Sequence, residues 1–158
     1  MYKELRNMIV QKLHAYLDKP VVMVTSPQNK PTYPFIGYTI TSYALDSFGR
    51  PIYEYGDDYK AKLSQETVFS FTAYSRDDAE AKDLAMDARD FFHHTGRQAL
   101  RDENLVVAGM TGLASRDSLI VDDCERRAGF DVTIRTTREL VEDVGLIETW
   151  NFNEGGTT

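Results

Sequence analysis

A single cysteine, Cys124, leaves no partner for an internal disulfide and no set of thiolates for a zinc cage, so no covalent staple is expected. Its neighbours Asp122, Asp123 and Glu125 are anionic, which disfavours the thiolate and argues against a nucleophile. Histidine is almost as scarce. His14 stands alone, and His93 and His94 are adjacent, which on a helix turns them about 100° apart, whereas a helical metal pair needs a spacing of three or four. Asp90 and His94 have that spacing without a third ligand, and read as a side-chain contact. The glycines form neither a phosphate loop nor a dinucleotide fingerprint. No run approaches the roughly 18 apolar residues of a membrane span, and Met1-Tyr-Lys-Glu-Leu-Arg6 has no apolar signal core, so a cytoplasmic protein without membrane contact is expected. Basic residues are in deficit, 18 against 25 acidic, and the net charge of −7 argues against broad binding to DNA or an anionic membrane while leaving room for a local basic patch. Together these gaps predict no enzyme, no cofactor and no metal.

With 158 residues, 42% of them hydrophobic, the chain has material for one ordinary core and is short for two. One domain over residues 1–152 is expected, with Asn153 to Thr158 a loose tail. Its centre is the stretch from Glu66 to Met110. Glu66 to Ser75 alternates Val68 and Tyr74 on one face with Phe69, Phe71 and Ala73 on the other, the pattern of an interior strand. Asp77 and Asp78 offer an N-cap and Glu80 suits the positive end of a helix dipole. Ala81, Leu84, Ala85, Ala88, Phe91 and Phe92 then recur at three-and-four spacing, opposite Lys82, Asp83, Asp87, Arg89 and Asp90. Gly96 is a candidate stop, with Arg97 to Asp102 an optional further turn, before Leu105 to Met110 returns as a strand.

Around that unit, Tyr2, Leu5, Ile9, Leu13 and Tyr16 predict a first amphipathic helix ended by Asp18-Lys19-Pro20. Val21 to Thr25 and Pro34 to Tyr43 read as strands, with Gly37 a candidate bulge. Ser118 to Val121 is a short strand candidate. Glu125 to Thr136 alternates Phe130, Val132 and Ile134 with Asp131, Thr133 and Arg135, the period of a half-buried antiparallel strand. Val144, Leu146, Trp150 and Phe152 predict a last strand after the charged turn at Glu142-Asp143. The expected fold class is α+β: a single mixed or mainly antiparallel sheet with two amphipathic helices packed on one face.

Two surfaces stand out. Ala44 to Ser64 loses periodicity yet carries Tyr53, Tyr55 and Tyr59; it is either a strand pair extending the sheet or a projecting loop that meets a neighbouring protein, and the two readings are compatible. Asp83, Asp87 and Asp90 invite an acid/base or magnesium reading, but a solvated helix face accounts for them.

The first helix, the Tyr33-Pro-Phe-Ile-Gly-Tyr38 strand, the helix ending Phe91-Phe-His-His-Thr-Gly-Arg97 and the later Glu125-Arg-Arg-Ala-Gly-Phe-Asp131 together resemble bacteriophage neck and tail terminator proteins, over residues 1 to 152. The resemblance implies a small structural virion subunit in a ring, usually a hexamer, on the head-proximal end of the tail tube. Such a ring stops tube growth and joins the tail to the head connector. The implied partners are further copies of the chain, the tail tube protein and a connector or head-completion protein, with the genome passing through the lumen without specific nucleic-acid binding. Tyr53, Tyr55 and Tyr59 are then interface candidates, as are Arg126, Arg127 and Arg135, whose guanidinium forks suit acidic neighbours. Asp83, Asp87 and Asp90 are candidates for the lumen wall. The competing readings are another head–tail connector or head-completion protein, and a monomeric binding domain or small hydrolase.

Overall fold

The structure is a computed structural model that describes residues 2–25, 30–46, 49–56, 58–118 and 124–142. The strand expected over 144–152, and all of 118–121 but Ser118, lie outside the described residues. In chain order the elements are α1 (Tyr2–Leu17), β1 (Val21–Met23), β2 (Phe35–Asp46), β3 (Ile52–Tyr55), β4 (Tyr59–Ser75), α2 (Asp78–Asp90), a π-helical turn (Phe91–Thr95), α3 (Arg97–Arg101), β5 (Val106–Met110), β6 (Ala114–Ser115) and β7 (Arg126–Glu142). The strands form one mixed sheet in the order β1-β2-β4-β7-β5, with β3 paired to β4 and β6 to β7. Among the described residues only β1 and β2 pair in parallel.

The expected α+β architecture is present, with the helices on one face. Period-two alternation in β4 sends Phe69, Phe71 and Ala73 into the core, and the register places Val132, Phe130 and Ala128 of β7 directly beside them. Leu5, Ile9 and Leu13 of α1 and Leu84, Ala85 and Ala88 of α2 close over that surface. Fully burying each large side chain contributes about 1.5–3 kcal/mol. β4, α2 and β5 keep the order read from the sequence, but β7 lies between the two strands, so β5 is an outer strand.

The helix boundaries have local causes. Asp77, in extended conformation, accepts the Glu80 backbone N–H at 2.9 Å and caps α2, while the Glu80 carboxylate accepts the Ser75 hydroxyl. α1 ends at Asp18, which is left-handed at φ 51 with its N–H bonded to the His14 carbonyl, just before Pro20. Gly96 does not stop the helical run. It takes φ −88, and α3 follows; its missing side chain is required because a Cβ would stand 2.4 Å from the Phe91 ring. The π-helical turn widens the backbone so that the adjacent Phe91 and Phe92 are both buried, with His93 and His94 left exposed. Gly37 is not a bulge either. It pairs in regular register with Thr72, and a Cβ there would meet Val24 and Tyr74 at 2.6 and 2.7 Å. The bulges of β2 fall between Ile40 and Ser42 and between Ser42 and Leu45.

Candidate functional site

β4 and β7 stay paired for their full length, from Ser75↔Arg126 to Tyr59↔Glu142. Seventeen residues of strand reach about 55 Å, further than the helical layer covers. Past Thr67 and Ile134 the pair continues as an arm, joined at its end by β3. Within the 44–64 segment, Ile52–Tyr55 and the β4 residues from Tyr59 therefore form a strand pair extending the sheet, with Tyr53 and Tyr55 exposed on it and Tyr59 half-buried.

The two faces of the arm differ in chemistry. Tyr53, Ala61 and Leu140 are cross-strand neighbours, as are Tyr55, Tyr59 and Glu142, so the aromatic residues share the face that carries Phe69 and Phe71 lower down. Tyr53 and Tyr55 pack on Tyr59 with ring centroids 5.6 and 5.4 Å apart, yet Tyr55 is 82% exposed. On the opposite face Lys62 pairs with Glu54 at 2.6 Å and Lys60 with Glu139 at 3.7 Å. These pairs are exposed and contribute little to stability. The arm is thus a ribbon with one aromatic side, one ion-paired side and, among the described residues, no helix over either. Where it meets the body, a groove of about 640 Å³ runs beneath the start of α1, lined by Tyr2, Leu5, Tyr43, Gln65, Thr67 and Thr136 among others.

The structure gathers the three candidate tyrosines, but it puts the arginines elsewhere. Arg126 binds Asp117 at 3.3 Å, Arg127 binds Glu125 and Arg135 binds Glu66 at 2.7 Å, each within the chain. Asp83, Asp87 and Asp90 lie exposed on α2, among the helices. Among the described residues no three His, Cys, Asp or Glu side chains converge on a metal site.

Two polar anchors on the sheet face away from the helices were not foreseen. Glu125, 5% exposed, accepts hydrogen bonds from Lys30, Tyr33 and Arg127. Burial alone would raise its carboxyl, but those donors and the Arg127 charge outweigh it and hold the group at about 2. Arg116 reaches over Gly129 to Ser70, Thr72 and Asp131, at 2.7, 3.0 and 2.9 Å, and ties β6 to the sheet. The Glu125-to-Asp131 stretch thus supplies a buried anion, a core alanine and phenylalanine, a glycine under the Arg116 side chain and a partner for that arginine. Its sequence signal was the charge at both ends of an alternating strand; the distant partners gave none.

No curated protein matches the chain. A family model described as phage neck terminator protein matches residues 1–157, and the chain belongs to that family.

Proposed function

We propose that this neck terminator subunit closes with further copies into a ring, a homohexamer, on the head-proximal end of the tail tube, where it ends tube growth and receives the head connector or head-completion protein. The observation that carries this reading is the arm: an aromatic surface of Tyr53, Tyr55 and Tyr59 held beyond the helical layer on continuous β structure. Aromatic side chains supply large contact area at low entropy cost, and a head-to-tail contact repeated by rotation closes a ring. The family is a structural one, and what the fold supplies is shape and contact surface. In the virion neck, Arg126 and Arg135 keep enough exposure to meet acidic neighbours at the rim of such contacts. The carboxylates of α2 suit a wall past which DNA slides, because a wall dense in Lys and Arg would hold phosphates.

The test is polymerisation of the tail tube protein with and without this chain. Capped tubes that stop lengthening, with the chain at one end only, support the terminator. A chain that leaves tube growth unchanged and binds only the portal side is a connector instead.

A further inference from the structure

The helix-side face of the arm carries two patches of complementary chemistry. One is the groove beneath α1, where Tyr2 and Tyr43 pack with ring centroids 5.7 Å apart and Tyr43 nonetheless stays 69% exposed. Among the described residues the only charged side chain lining it is Arg138, and that guanidinium makes no ion pair. Gln65 and Thr136 line it too, and offer an amide and a hydroxyl. The other patch is the tip, where Tyr55, Tyr59 and Glu142 line one hollow. Among the described residues Glu142 makes no ion pair either. Arg138 and Glu142 stand four residues apart on β7, about 13 Å, so they do not pair with each other.

We propose that the arm tip of one copy enters the groove of the next, with Tyr55 and Tyr59 packing on Tyr2 and Tyr43 while Glu142 meets Arg138 of the neighbouring copy. The inference rests on the self-assembly proposed above and names the two surfaces that meet. Each side supplies what the other lacks. The groove brings a cation, an amide and a hydroxyl, and the tip brings a carboxylate and two phenols, whose O–H groups need partners once buried. A volume of about 640 Å³ is that of a ligand-sized pocket, with room for the rings. A copy cannot fill its own groove with its own tip. β4 and β7 pair without a register shift from Tyr59↔Glu142 to Gln65↔Thr136, which holds the two patches about 20 Å apart on one continuous ribbon. Because tip and groove are different patches, each docked copy leaves one of each free, and repetition by rotation closes a ring. Two ribbons laid face to face in opposite directions would satisfy both patches at once and stop at a dimer.

The test is disulfide cross-linking in a Cys124→Ser background, which removes the sole native thiol. Ala44 lines the groove and Gly56 the tip, and Ala44→Cys and Gly56→Cys leave every tyrosine in place. Chains with one change each, mixed and oxidised as they assemble, are expected to cross-link at least tenfold more than Gly56→Cys mixed with Met86→Cys on α2. A chain with both changes should give a covalent ladder. Arg138→Glu, with unchanged far-ultraviolet circular dichroism, should weaken assembly at least tenfold, and adding Glu142→Arg should restore it. Assembly without the cross-link overturns the pairing and leaves the ring reading standing, as does a loss in Arg138→Glu that Glu142→Arg does not repair. A ladder that stops at a dimer upholds the pairing and contradicts the ring. An Ala44→Cys thiol that reacts slowly with maleimide already in the dilute monomer assigns the groove to a segment of the same chain and overturns the proposal.

Discussion

Tyr55 and Tyr59 face each other across the β3–β4 turn with ring centroids 5.4 Å apart, on the face that carries the core phenylalanines but beyond the helices that bury them. Their contact stabilises the arm tip, and their exposed faces are what a neighbouring subunit would meet. Replacing Tyr53, Tyr55 and Tyr59 together with serine is expected to cost the isolated subunit about 1–3 kcal/mol, since it removes two aromatic pairs, each worth about 0.5–1.5 kcal/mol. Assembly should weaken at least tenfold, read by sedimentation at matched concentration. A triple variant that does not fold would make these residues core instead.

Glu125 gives the fold an acid-sensitive anchor. Its folded value of about 2 lies below the ordinary 4.5, so the unfolded chain binds more protons between these values. The stabilisation is fully present above about pH 5 and is lost as the pH falls from there through about 2; at 1.36 kcal/mol per pH unit it is on the order of 3 kcal/mol. Urea unfolding from pH 7 to pH 3 should show about 2 kcal/mol of this loss in the wild type, the rest falling below pH 3. Glu125→Gln should be less stable at pH 7 and should flatten the acid dependence.

Gly129 leaves room for the Arg116 side chain, and a Cβ there would stand 2.4 Å from the Phe71 carbonyl oxygen and 2.9 Å from the guanidinium. The carbonyl belongs to the paired strand and cannot yield without breaking register. Gly129→Ala is therefore expected to destabilise by about 1–3 kcal/mol in thermal or urea unfolding. Arg116→Ala keeps Gly129 and should instead loosen β6, seen as faster amide exchange at Ala114 and Ser115.

The helices and central strands were legible in the sequence because their signals are local. Leu84, Ala85 and Ala88 mark one face of α2, and Phe69, Phe71 and Ala73 mark one face of β4, within single stretches of chain. The insertion of β7 between β4 and β5 was not legible, since either pairing satisfies the same alternation and the choice is made by contacts distant in sequence. Gly37 and Gly96 read as irregularities because a glycine advertises freedom of backbone, whereas here each serves a close approach by a ring. Tyr53, Tyr55 and Tyr59 could be singled out by type, but their clustering required the β3–β4 register. Glu125 depends on Lys30 and Tyr33 from the other end of the chain, and nothing in its own neighbourhood foretells its burial.

The charge of −7, with Asp83, Asp87 and Asp90 exposed on α2, predicts no retention of DNA. A gel shift at moderate salt should show free duplex at every protein concentration at which rings form. Tight binding, abolished by reversing Arg126 and Arg135 to glutamate, would make the chain a DNA-contacting connector.

The most direct test of the ring is native mass spectrometry of the purified chain, alone and with tail tubes, combined with electron microscopy of the tube ends. The account predicts a closed homohexamer seated on one end of each tube, whether or not the free chain is already assembled. A monomer in both settings would contradict it.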